Sequence, residues 1–160
     1  ACRCWINEYR QPALVEPYLS GREFTVGILG TGEKAQALGT VEVQLNETAE
    51  PGVDSCVDRE KGEERAVYRL ATSQDDPTVA KAEAISLNAW RVLGCRDAGR
   101  IDIRCDRNGQ PLFMEVNPLA GIHPEHSDLP IICNQLGIPY LTLIEKIISS
   151  ASKRIRSKDT

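Results

Sequence analysis

Apolar and polar positions alternate with a period of two over residues 22–29, where Phe24, Val26 and Ile28 point one way and Glu23, Thr25 and Gly27 the other. That is the pattern of a strand with one buried face. A short apolar run at 13–18, ended by the turn signal Ser20-Gly21, predicts another strand before it. After a turn at 30–34, residues 37–45 predict a further strand, with Leu38, Val41, Val43 and Leu45 in a mixed pattern. Residues 46–65 are polar, with Pro51, Gly52 and a charged stretch from Asp58 to Glu64, and read as a mobile loop or as plain solvated surface, composition favouring the second.

The period then becomes helical. Ser73 to Asp76 offer capping side chains ahead of Pro77, which suits a first helical position, and Gly94 stops the helix. Ala82, Ile85, Ala89, Val92 and Leu93 form one apolar stripe, with Ala80, Ala84, Leu87 and Trp90 as a second, less clean one. Residues 129–136 and 141–151 predict two more helices, the latter with Leu143, Ile144, Ile147 and Ile148 facing inward. Residues 1–11 read as the last turns of a helix, since Trp5, Ile6 and Tyr9 have helical spacing without a capping residue ahead of them. The expected organisation is a helix remnant at 1–12, one lobe at 13–151 and a polar tail at 152–160, together a piece of a longer protein. The predicted fold class is α+β, an antiparallel sheet with helices packed on one face.

Residues 99–106 and 110–117 predict two strands joined at Asn108-Gly109, the strongest short hairpin signal in the chain. A two-residue turn there pairs Arg107 with Gln110, and antiparallel register then sets Asp102 opposite Glu115 and Arg100 opposite Asn117. Alternation puts Ile101, Ile103, Leu112, Met114 and Val116 on one face, leaving Arg100, Asp102, Glu115 and Asn117 together on the other. Two ionised carboxylates directly opposed, with Cβ atoms about 5 Å apart, repel unless something neutralises them. Mg²⁺ would do so, with the Asn117 amide oxygen as a neutral ligand and Arg100 placed to hold phosphate oxygens. Equally, Arg100 alone would neutralise both acids on a solvated face, and the local pattern does not choose between the two.

The chain has 160 residues, of which 41% are hydrophobic and 26% charged, the balance of one ordinary soluble domain. No apolar run approaches the ~20 residues that span a bilayer. A net charge of −4 provides no general basic field for nucleic acid or anionic lipid, so neither nucleic acid nor membrane is an expected partner. The six cysteines contain no C-x-x-C pair and read as reduced thiols of a cytoplasmic protein. Cys2 and Cys4 with His123 or His126 would form a zinc site only with a geometry that spacing does not supply.

The run Gly99-Arg-Ile-Asp102, the triplet Glu115-Val-Asn117 and Gly121 beyond it resemble the closing motifs of the D-alanine-D-alanine ligase branch of ATP-grasp enzymes. Leu14-Val-Glu-Pro-Tyr-Leu-Ser-Gly-Arg-Glu-Phe-Thr-Val26 resembles that family's adenine hinge and following strand, and the likeness keeps its order from Leu14 to Ser149. It implies the C-terminal lobe of an ATP-grasp fold and a cytoplasmic ligase of peptidoglycan biosynthesis. In the family reaction ATP phosphorylates a carboxylate, and an amine then attacks the acyl phosphate and expels phosphate.

The resemblance implies Asp102, Glu115 and Asn117 as Mg²⁺ ligands, Arg100 as the group stabilising the transferring phosphoryl or the tetrahedral intermediate, and the Gly121 amide as part of an oxyanion site. It puts Glu16 and the backbone of Pro17 and Leu19 on adenine and Glu23 on the ribose hydroxyls; without the family, both acids read as surface residues. Arg59 or Lys61 is the nearest candidate for a phosphate-contacting cation, and His126 and Ser127 are candidate contacts to the second substrate. In the acceptor-like loop from Pro118 to Pro130, Pro118 and Ala120 replace the usual residues and the spacing to Ser127 is longer, which leaves the amino-acid substrate open. His123 and His126 equally suit capping the next helix or packing within the loop. The implied partners are amino-acid or dipeptide substrates and an upstream lobe carrying two lysines and a glycine-rich loop, with a homodimer among the assemblies allowed. The alternative function is a noncatalytic ATP-grasp-derived module that binds nucleotide or a partner.

Overall fold

In the computed structural model, residues 2–45 and 66–156 are described, and the polar segment at 46–65 lies outside them. Helix α1 (Cys2–Tyr9) is followed by strand β1 (Glu23–Leu29), a 3₁₀ turn (Gly32–Lys34), β2 (Gln36–Leu45), β3 (Ala66–Ala71), α2 (Pro77–Val92), β4 (Ala98–Cys105), β5 (Pro111–Asn117), α3 (Asp128–Gln135) and α4 (Tyr140–Arg156). The five strands form one sheet in the order β3-β2-β1-β4-β5, every neighbouring pair antiparallel.

Phe24, Val26 and Ile28 of β1 and Ile101 and Ile103 of β4 are buried against α2, whose Val79, Ala82 and Trp90 complete this core. Asp76 caps α2 by accepting the Thr78 amide at 2.8 Å, with Pro77 at the first position, as the sequence anticipates. The buried stripe is Val79, Ala82, Ser86 and Trp90, so Trp90 is an anchor and not a secondary contact, while Val92 and Leu93 are exposed. Ser86 hides this stripe from a purely apolar scan.

The other face is covered in part by α3 and α4, which corrects the expectation that all helices share one face. The paired Gly27 and Gly39 form the seat. A Cβ on Gly27 would lie 3.0 Å from Ile132 and one on Gly39 2.8 Å from Leu136, so only glycine lets α3 approach this closely. Leu129, Cys133 and Leu143 form a second core there. Ile148 of α4 is exposed, not inward, and α4 continues through the residues expected to begin the tail. The run at 13–18 is not a strand, and Leu14 at 85% exposure has no sheet to bury it. Strand β3, by contrast, was not singled out by the sequence pattern.

Candidate functional site

The β4–β5 hairpin sets the site, by a route different from the two-residue turn expected. Asp106 Oδ1 accepts the backbone amides of Asn108 at 2.8 Å and Gln110 at 2.9 Å, and Gly109 has φ 76°. Asp106 and Gln110 thus close a longer loop, which pairs Cys105 with Pro111 and Ile103 with Phe113. A bulge between Asp102 and Ile103 then restores the expected register, with Asp102 opposite Glu115 and Arg100 opposite Asn117. Because the bulge intervenes, Leu112 pairs with Arg104 and shares the Asp102 face, contrary to simple alternation.

Asp102 is 9% exposed, and Thr25 on the neighbouring strand donates to its Oδ1 at 2.9 Å. Asn117 Nδ2 reaches Glu115 Oε1 at 2.8 Å and Asp102 Oδ2 at 3.4 Å, a positive amide end between two acids. Arg100 Nε is 3.3 Å from Asp102 Oδ2, and its Nη1 forms an ion pair with the buried Asp128 at the start of α3. Burial pushes the Asp102 carboxyl above its ordinary pKa, and Glu115 adds to this, while Arg100 and Thr25 oppose it. Two close carboxylates, one strained toward its neutral form, and an amide able to rotate its oxygen inward make a hard oxygen set suited to Mg²⁺. Among the described residues no cluster of three or more His, Cys, Asp or Glu side chains is placed to hold a metal, so this set rests on two acids and an amide.

Beyond the hairpin's loop end, Glu16, Pro17 and Leu19 line an open cleft of about 710 Å³ with Tyr18, Leu112, Phe113 and Met114. Leu112, Phe113 and Met114 give the cleft an apolar wall, with Glu16 and Ser20 among its polar residues. Glu23 pairs with Arg104 across β1 and β4, their side chains 3.7 Å apart, and the Arg104 guanidinium lies over the Tyr18 ring at 5.6 Å. Glu23 therefore lies between the cleft and the acids.

In the loop after β5, a Cβ on Gly121 would meet Ser127 Oγ at 2.7 Å, and Ser127 Oγ accepts the His123 amide at 2.9 Å. Ser127 holds the N-cap position of α3, its carbonyl accepting the Ile131 amide at 3.0 Å but its side chain making no cap bond to the helix, while His126 is exposed and stacked on His123 with centroids 4.7 Å apart. Arg59 and Lys61 lie outside the described residues. Sequence reasoning missed Thr25 and Asp128. Thr25 sat in view on the polar face of an alternating strand, but nothing local paired that face with Asp102; Asp128 had only its place at a helix start.

The sheet and helices match those of the crystal structure of Bacillus anthracis D-alanine-D-alanine ligase complexed with ATP, with a TM-score of 0.65, 24% identity, and coverage of 91% of this chain and 42% of that one. At that identity the likeness defines a fold class, the ATP-grasp region of such ligases. The family model for the D-ala D-ala ligase C-terminus matches residues 6–149, and the chain belongs to that family. A D-alanine-D-alanine ligase from Bordetella petrii is 29% identical over 150 residues, 94% of this chain and 44% of the relative. An uncharacterized protein from Sinorhizobium fredii is 33% identical over 162 residues, 96% of this chain and 45% of its own length. The chain thus spans less than half the length of these relatives. Among the described residues, no helix is long and apolar enough to cross a membrane.

Proposed function

We propose that this chain is the metal-holding half of an ATP-dependent carboxylate-amine ligase, which joins two small amino-acid-type substrates through an acyl phosphate. The observation that carries this reading is the opposed pair Asp102 and Glu115, with Asn117 beside them and Arg100 against Asp102. Like charges held this close in a half-buried site invite a divalent cation.

Asp102, Glu115 and Asn117 hold Mg²⁺, which when bound neutralises polyphosphate charge. Arg100 stabilises charge on the transferring phosphoryl group, where fixed positive groups supply most of the catalysis. The cleft formed by Glu16, Pro17, Leu19 and Leu112 takes the adenine, with Glu23 toward the ribose. The Pro17 carbonyl still accepts from an exocyclic amine although its nitrogen cannot donate. Gly121 and Ser127, packed together at the start of α3, border the seat of the acceptor substrate, and His126 reaches it from the exposed rim. Arg59 or Lys61 supplies a further phosphate contact. The exposed Leu14 and Tyr18 suit coverage by a second lobe that closes over the nucleotide.

The test is phosphate release by the full-length protein supplied with Mg·ATP and a panel of D- and L-amino acids, singly and in pairs, with products identified by mass. Phosphate released in step with a condensed product supports the ligase. ATP binding with no phosphate release from any pair would favour the noncatalytic module.

A further inference from the structure

We propose that Asp128 is a positioning residue that fixes Arg100 against Asp102 and ties the acceptor loop to it. The inference rests on the reading of Arg100 given above, and it deepens that reading. Asp128 is 3% exposed at the first position of α3, directly after Ser127, and its carboxylate pairs with Arg100 Nη1. On the other side of the guanidinium, Nε lies 3.3 Å from Asp102 Oδ2. The two acids therefore occupy two edges of a planar fork, and its remaining amino group, Nη2, is left for phosphate oxygens.

The backbone makes this placement possible. Arg100 is the β4 partner of Gly27, and Gly27 is the seat on which α3 rests. With no side chain at Gly27, the helix start comes down beside the guanidinium, and the partial positive charge of the first turn favours an acid there. A pin at Asp128 also fixes Ser127, whose Oγ organises the loop through the His123 amide. The phosphoryl-stabilising guanidinium and the border of the acceptor seat then form one rigid unit.

A merely structural ion pair would change thermal stability and leave the kinetic pattern alone. A positioning residue changes the rate of the step that Arg100 serves, because small misplacements of a catalytic group cost up to about a hundredfold. In the full-length protein, Asp128→Asn should lower kcat by about tenfold or more with the KM for ATP little changed and the KM for the acceptor raised. Asp128→Glu should recover part of the loss, and adding Asp128→Asn to Arg100→Lys should cost little more than Arg100→Lys alone. Wild-type kcat in Asp128→Asn, or a full additive loss in the double variant, would overturn the inference while leaving the ligase reading intact. If the wild-type protein releases no phosphate with any pair, the ligase reading falls. Asp128 is then judged by a thermal-unfolding cycle with Arg100→Ala and Asp128→Ala: non-additive shifts in Tm support the coupling, and additive shifts overturn it.

Discussion

Replacing Gly99 by alanine drives a methyl group into two neighbours at once. The added Cβ would lie 2.6 Å from the Trp90 ring and 2.5 Å from the Asn117 carbonyl, so either the indole or the end of β5 must move. Gly99 does not have a positive φ, so the backbone itself accepts alanine and the effect is purely steric. Overpacking a well-filled core costs about 1–3 kcal/mol, a fall in Tm of roughly 2–12 °C for a domain of this size. Trp90 is fully buried and donates to the Gly30 carbonyl at 3.1 Å, which resists its displacement. Movement at Asn117 would in turn shift its amide away from Glu115 and Asp102, so turnover should fall along with stability. The shorter ring of Trp90→Phe withdraws the clashing carbons, so the double variant should lose less than the sum of the single losses. The assay is thermal unfolding of all four proteins followed by phosphate-release kinetics. An unchanged Tm in Gly99→Ala, or strictly additive losses in the cycle, would refute the packing argument.

Arg22 binds Glu42 through two nitrogens and Asp76 through a third, and its bonds lower the pKa of both acids. With folded pKa values below the unfolded ones, this stabilisation is present above about pH 4 and is lost as pH falls through the folded values; Arg22→Met should therefore flatten the acid limb of a Tm–pH curve. Asp97 holds Arg154 and has φ 67°, so Asp97→Asn should lose only the ion pair, whereas Asp97→Val should cost about 1–3 kcal/mol more in denaturant unfolding. Alanine at Ser127 or His126 should raise the KM for an amino-acid substrate and leave that for ATP nearly unchanged in steady-state kinetics; the reverse pattern would remove them from the acceptor seat.

The hairpin shows how far the sequence could be read. Asn108-Gly109 located the turn, and the opposition of Asp102 to Glu115 followed from an assumed two-residue connection. The structure reaches the same opposition through Asp106, whose side chain closes a longer loop, and through a compensating bulge nearer the acids. Local signals found both strands, but a bulge depends on how the strand packs against its neighbours, and alternation therefore misplaced Leu112. Thr25 and Asp128 reach the site only through the β1–β4 pairing and the docking of α3, contacts between residues far apart in sequence. Trp90 was misjudged for a related reason, since the buried stripe of α2 runs through Ser86, which counts as polar until the helix is packed.

The most direct test of the central claim is phosphate release by the full-length protein carrying Asp102→Asn or Glu115→Gln, with circular dichroism to verify the fold. Each substitution keeps the side-chain shape and removes one charge from the opposed pair. Native spectra are expected with turnover reduced by about a hundredfold or more, because the metal would lose charge that holds it in place and the polyphosphate would lose the metal. Near-normal turnover in both variants would contradict it.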